Sequence, residues 1–166
     1  DYAKYFDTVN VCLSKGLGAP VGSLLCGSKS AIEMALKWRK ILGGGMRQAG
    51  IIAAAGLYAI KNNFTKLADD HANAKLFANE INKSDFIKCD IDKVQTNMVI
   101  FECINGMSSS KLHDALIEDG LLVHEVGDNK IRAVFHLHIT KDITKSASEI
   151  VISTVKRIMK LELWSV

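Results

Sequence analysis

Residues 9–23 read Val-Asn-Val-Cys-Leu-Ser-Lys-Gly-Leu-Gly-Ala-Pro-Val-Gly-Ser. The run Val9–Leu13 has the short apolar character of a buried strand bounded by turn residues. It passes through Ser14 and Lys15 into Gly16, Gly18, Pro20 and Gly22, a loop that lets backbone come close to a ligand. Two readings of Lys15 are open. It is a lysine in a turn, or it is a lysine at the end of a buried strand, where desolvation would remove its charge and make it a nucleophile toward carbonyls. The second is the chemistry of Schiff-base formation.

Working outward, most of the twelve glycines and the single proline fall in the first fifty residues. This separates a loop-rich, ligand-facing first part from a more regular remainder. Val21–Cys26 reads as a second strand. Ser28 to Leu42 reads as a helix, with Ser28 or Ser30 as cap and Lys37, Arg39 and Lys40 near its C-terminus, where cations suit the dipole. Gly43-Gly44-Gly45 stops it. Met46–Asn62 reads as a second helix rich in small residues. From Thr65 the pattern changes: Leu67, His71, Ala74, Ala78 and Ile81 form an amphipathic stripe that places His71 in the packed face. Met98–Cys103 is a strand, Ser108–Gly120 a helix, and Leu121–Val126 and Lys130–His138 two strands joined at Gly127-Asp128-Asn129. Ala147, Val151, Val155 and Ile158 give a last helix its stripe. The order helix, strand, helix, strand, strand, helix is that of a small α/β layered domain.

Composition excludes several classes. Hydrophobic residues at 48% and charged residues at 23% fit a packed globular protein. A net charge of +3 with scattered basic residues suggests neither nucleic acid nor an anionic membrane. No apolar run approaches the roughly 20 residues of a membrane span, and the first seven residues lack signal-peptide character. Cys12, Cys26, Cys89 and Cys103 show no CxxC spacing and the histidines complete no zinc pattern, so no metal site is expected. The cysteines read as buried, reduced thiols of a cytoplasmic protein. The chain opens without Met, close to a core-like strand, and reads as the later part of a longer polypeptide.

Three further basic residues stand out. Lys40 and Arg47 flank the triple glycine. They are two solvated charges, or two cations that the missing side chains allow to converge on an anion, helped by backbone donors if a helix begins at Met46. Arg132 shares a strand face with Val134, His136 and His138. Its guanidinium snorkels to solvent or grips a carboxylate in bidentate fashion. His136 either approaches a site or supports the sheet.

The segment Phe6–Ser23, with Trp38-Arg39-Lys40, Gly43–Gly50, Asp70-His71-Ala72-Asn73-Ala74, Thr96-Asn97-Met98 and Ile131-Arg132, resembles the threonine aldolases. These belong to the aminotransferase-like (fold type I) pyridoxal phosphate proteins, beside the aromatic β-eliminating lyases. The match is most specific over residues 6–60. The resemblance implies that residues 1–45 end a large cofactor-binding domain, 46–62 form a connecting helix, and 63–166 a small C-terminal α/β sandwich domain. It implies pyridoxal 5'-phosphate as cofactor, Lys15 as the Schiff-base lysine, Lys40 and Arg47 near the cofactor phosphate, and Arg132 on the substrate α-carboxylate. The implied reaction is cleavage of L-threonine or L-allo-threonine to glycine and acetaldehyde, a step of threonine catabolism and glycine biosynthesis. The implied assembly is a homotetramer or dimer with shared sites. The pyridine-nitrogen acid, the ring-stacking residue, the phosphate loop and the hydroxyl base would come from an earlier half of the protein, so the segment alone is expected to be inactive. Another enzyme of the same cofactor group, or a non-catalytic remnant of the fold, are the alternatives.

Overall fold

The computed structural model describes residues 2–163. Asp1 and the last three positions, which the sequence-based domain boundaries include, lie outside the described residues. The chain divides into two compact units between Lys66 and Leu67.

In the first unit, β1 (Thr8–Cys12) and β2 (Ser23–Gly27) form an antiparallel ribbon, with Thr8 opposite Gly27 and Cys12 opposite Ser23. Neither strand is buried: Val9 and Cys12 are half-covered and all of β2 is exposed. The expectation of a buried strand is therefore corrected. A ribbon is buried only where other elements cover both of its faces, and the described residues leave these faces open. Cys26 is exposed and Cys12 only half-buried, against the expectation of buried thiols, whereas Cys89 and Cys103 are buried.

Helix α1 (Lys29–Ile41) starts where expected. Ser28 is its N-cap, and its hydroxyl accepts a hydrogen bond from the Ala31 amide at 3.2 Å. Its end is a Schellman turn. Gly43 takes a φ of +82°, its amide donates to Lys40 O at 3.2 Å, and the Gly44 amide donates to Arg39 O at 2.8 Å. Helix α2 (Gly50–Asn63) begins four residues later than the periodicity predicts. Gln48 adopts a left-handed φ of +50°, and Met46 turns back on Gly44 O at 3.1 Å, so 44–49 is a connection and not a first turn.

The second unit is a two-layer α/β domain. It contains α3 (Leu67–Ile81), β3 (Ile87–Lys88), β4 (Met98–Cys103), α4 (Ser109–Glu118), β5 (His124–Glu125), β6 (Lys130–Val134) and α5 (Lys141–Leu163). The sheet order is β3-β4-β6-β5, with every neighbouring pair antiparallel. Alternation along β4 and β6 sends Val99, Phe101, Cys103, Ile131 and Ala133 into a core shared with Phe77, Ile81, Leu112, Leu116 and Val151. The expected order of elements holds; the two-residue β3 was too short to leave a periodic signal. The β5–β6 link is a type I′ turn, with Asp128 and Asn129 at φ +49° and +56° and Lys130 N bonded to Gly127 O at 3.0 Å. The strand expected to reach His138 ends at Val134. Asn97 clamps Phe135 from both sides, and Ile139 N then turns back to His136 O at 2.8 Å.

The stripe of α3 is rotated from the one expected. Asp70, Asn73, Ala74, Phe77, Ala78 and Ile81 are buried and His71 is exposed. Phe77, in ring contact with Phe101 and Phe135, sets the buried face. That face passes through Asp70 two turns earlier.

Within the first unit, a Cβ on Gly56 of α2 would stand 2.9 Å from Leu13 Cδ1. Gly56→Val therefore overpacks this contact and costs about 1–3 kcal/mol. Thermal unfolding of the complete protein checks this; an unchanged midpoint contradicts it.

Candidate active site

Leu13, Leu17 and Ala19 are the buried residues of the loop after β1, at 6%, 8% and 6% exposure. Leu13 sits against Gly56 of α2. The Asn63 side-chain amide, itself buried, donates to Leu17 O at 2.9 Å. Inside the loop, Leu13 N bonds Gly22 O at 2.9 Å, Ala19 N bonds Leu13 O at 2.9 Å, and Gly18 N bonds Lys15 O at 2.8 Å. Lys15 is thus the first residue of a tight turn whose two flanks are nailed to a helix. Its side chain is exposed, so this chain does not supply the burial invoked for it from sequence. What the chain supplies is position: a primary amine held out from an anchored loop. Beside it the Cys12 thiol lies 3.4 Å from Ser14 Oγ. That contact draws the thiol below its ordinary value, and the Lys15 charge adds to the effect.

Lys40 occupies the last turn of α1, and its side chain lies across Gly45. A Cβ on Gly45 would stand 3.0 Å from Lys40 Cδ and 3.6 Å from its Nζ. The bare Cα of Gly45 therefore leaves room that the Lys40 side chain itself takes up, whereas a Cβ on Gly43 would meet nothing within 4 Å. Arg47 is exposed in the connection before α2. The backbone-donor argument fails for it, because the helix begins at Gly50. Lys15, Lys40 and Arg47 all belong to the first unit; Arg132 belongs to the second.

Arg132 sits mid-strand on β6, opposite Ile100 of β4 and His124 of β5. It is half-buried, and its Nε is buried with no hydrogen-bond partner among the described residues. A buried donor without an acceptor costs free energy, and a carboxylate would satisfy it. His136 lies beyond the end of β6 and is exposed, as are His124 and His138; His113 is half-buried against Asp114.

Asp70 was not singled out from sequence. It is 2% exposed, and its Oδ2 is buried without a partner. Burial pushes its carboxyl above the usual carboxylate range, opposed by the nearby His136 and His71. The signal that could have found it is its spacing from Asn73, Phe77 and Ile81, which continues the apolar face of α3. The Cys103 thiol is pushed up to about 11, chiefly by burial, and reads as inert. A groove of about 680 Å³ on the open sheet face, bounded by Lys88, Met98, Ile100 and Lys130, includes none of the expected site residues. Among the described residues no group of three His, Cys, Asp or Glu could hold a metal ion. No described helix is long and apolar enough to cross a membrane.

The family model described as "Beta-eliminating lyase" matches residues 1–104. The chain is 46% identical over 139 residues to the low-specificity L-threonine aldolase 1 of Arabidopsis thaliana, covering 82% of this chain and 39% of that protein. It is 39% identical over 142 residues to the low specificity L-threonine aldolase of Escherichia coli K12, covering 86% and 41%. The chain thus spans about two fifths of the length of these relatives. Among solved structures, the serine palmitoyltransferase of Sphingomonas wittichii superposes with a TM-score of 0.73 at 16% identity, over 91% of this chain and 40% of that one. An ornithine aminotransferase of Plasmodium yoelii does so with a TM-score of 0.64 at 20% identity, over 90% and 40%. The fold is that of the aminotransferase-like, fold type I enzymes.

The Asp70 environment has a consequence for stability. A carboxyl raised by burial favours the folded state when protonated, and that contribution is lost as pH rises through its titration. Asp70→Asn, which carries no charge to bury, is therefore expected to raise the thermal midpoint at neutral pH. The gain should shrink as pH is lowered into the carboxylate range. Thermal scans of both proteins across pH check this; a lower midpoint for the variant at neutral pH contradicts it.

Proposed function

Because the chain belongs to the β-eliminating lyase family, we propose that it is the lysine-bearing part of an aldehyde-lyase that cleaves L-threonine or L-allo-threonine to glycine and acetaldehyde. Pyridoxal phosphate is the cofactor that the family and its structural neighbours indicate. The residues present fit it. An amine is held out from an anchored turn at Lys15, and the Lys40 side chain lies over the bare Cα of Gly45, two residues before Arg47 in sequence. When bound, the cofactor supplies an electron sink for the charge released at the amino-acid α-carbon.

In this reading the Lys15 amine holds the cofactor's carbonyl carbon. Lys40 and Arg47 supply positive charge to its phosphate, reaching a neighbouring subunit's site in a homotetramer or dimer. Arg132 grips the substrate carboxylate through the buried Nε that lacks an acceptor. Fixing the carboxylate also fixes which bond of the α-carbon is aligned for cleavage, and such orientation supplies a large share of the rate. The enzyme is cytoplasmic. The remaining acid, stacking residue and base come from the rest of a longer protein, so these 166 residues alone do not catalyse the reaction. The observation that carries the reading is the placement of Lys15: buried leucines on both sides, and the amine exposed between them.

The complete protein is expected to show an absorbance band near ~420 nm with pyridoxal phosphate, and Lys15→Ala should abolish it. Persistence of the band in the variant removes the central assignment. Arg132→Lys keeps the charge but loses the planar fork, and should raise the KM for threonine about tenfold or more. The family description also admits β-elimination. Release of acetaldehyde from threonine, against ammonia and a keto acid from other amino acids, decides between the two.

A further inference from the structure

Two neighbouring asparagines end α2, and they spend their amides differently. Asn62 is exposed, and its Nδ2 donates to Tyr58 O at 2.8 Å, four residues back on the same helix. Asn79 of α3 does the same toward Lys75 O at 2.9 Å. Such a local bond is a common recourse of asparagine in a helix. Asn63 forgoes it. It is buried, and its Nδ2 crosses to Leu17 O at 2.9 Å, 46 residues earlier in the chain. Its Oδ1 accepts from Lys66 Nζ at 3.2 Å. An ammonium only donates and a carbonyl only accepts, so these two partners fix which way the amide faces.

Leu17 O belongs to the peptide group that joins Leu17 to Gly18, and the N–H of that same group donates to Lys15 O at 2.8 Å. A peptide group is planar and stiff. One rigid unit is therefore held at both ends, by Asn63 at its oxygen and by the Lys15 carbonyl at its N–H. Gly18 supplies the left-handed φ of +72° with which the chain leaves the turn. The bonds run in one sense, from Lys66 Nζ through the Asn63 amide and the 17–18 peptide to Lys15 O, and bonds in such a chain polarise and strengthen one another. No backbone amide of the described residues reaches Leu17 O, so loss of the Asn63 donor would strand an acceptor in a buried contact. We propose that Asn63 and Lys66 are positioning residues for Lys15: the chain of bonds fixes the Lys15 carbonyl, and with it the direction in which the exposed amine is projected toward the carbonyl it attacks. The hold on the turn stands on these bonds alone. Its effect on chemistry rests on the reading of Lys15 as the residue that holds the cofactor.

The test uses the complete protein with Asn63→Asp, Lys66→Met and Lys66→Arg. Aspartate keeps the shape of asparagine and can still meet Lys66, but it has no donor for Leu17 O. Lys66 is exposed, so Met in its place leaves the packing intact, and Arg restores a donor. Without cofactor, amide-exchange protection at Gly18, corrected for intrinsic rates, is expected to fall about tenfold in Asn63→Asp and about threefold in Lys66→Met, and to return in Lys66→Arg. Unchanged protection in Asn63→Asp overturns the proposal. Should that variant not fold, the Lys66 pair carries the test, and unchanged protection in Lys66→Met overturns it. When pyridoxal phosphate is added to the cofactor-free protein, the band near ~420 nm should grow about fivefold more slowly in Asn63→Asp, and kcat should fall with the KM for threonine unchanged. Lys66→Met should slow the band about twofold at an unaltered thermal midpoint, a combination that a merely structural role does not give. Lost protection with an unchanged rate overturns the link to Lys15. A band that survives Lys15→Ala overturns the proposed function and leaves the exchange result standing.

Discussion

The first unit depends on how Leu13 and Leu17 are seated on α2. A leucine methyl fits against the bare Cα of Gly56, and a buried amide from Asn63 takes the Leu17 carbonyl. Buried backbone acceptors must be paired, so this one bond fixes the height of the loop over the helix. The leucines fix its rotation. With both flanks immobile, the turn from Lys15 to Gly18 has little freedom. The ribbon of β1 and β2 has no such anchorage of its own, since its residues are mostly exposed. The hairpin delivers the chain to the loop, and the helix holds it there.

The second unit solves a different problem. Its sheet is covered on one face by apolar residues that alternate along β4 and β6, and the same alternation sends Arg132 to the other face. Side-chain amides do much of the fastening. Asn97 binds Phe135, Asn73 binds Ile139, and Asn129 binds Met107 and receives the amide of Ser109. Asn73 ties a loop to α3, Asn129 ties a turn to the start of α4, and Asn97 joins the segment before β4 to the one after β6, which leaves few buried polar groups unpaired among the described residues. Asp70 Oδ2 and Arg132 Nε are the exceptions among the described side chains.

Much of this was legible in the sequence. Period-four stripes and alternating strands gave the order of elements in the second unit, and Ser28 and Gly43 marked the ends of α1 because capping chemistry is local. Resemblance, more than pattern, singled out Lys15, Lys40, Arg47 and Arg132 together. The failures have physical causes. Burial of β1 and β2 depends on what covers a sheet, and a run of apolar letters does not record that. The late start of α2 follows from one left-handed residue, Gln48, which is not a glycine and gives no warning. His71 was placed on the core face because alanines are weak guides to helix rotation. Phe77, a larger side chain, sets the face and puts Asp70 there instead.

The type I′ turn and Asn129 bear on how the second unit assembles. β4 and β6 are neighbours in the sheet but are separated in sequence by α4 and β5, and pairing them requires closing a chain loop, an entropic cost that precedes any reward from the ladder. The Asn129 side chain shortens that closure. From the tip of the β5–β6 hairpin it bonds the Met107 carbonyl just past β4 and takes the Ser109 amide at the start of α4. The hairpin, the end of β4 and the first turn of α4 are therefore joined at one side chain, so that a single amide at a turn sets where three elements meet.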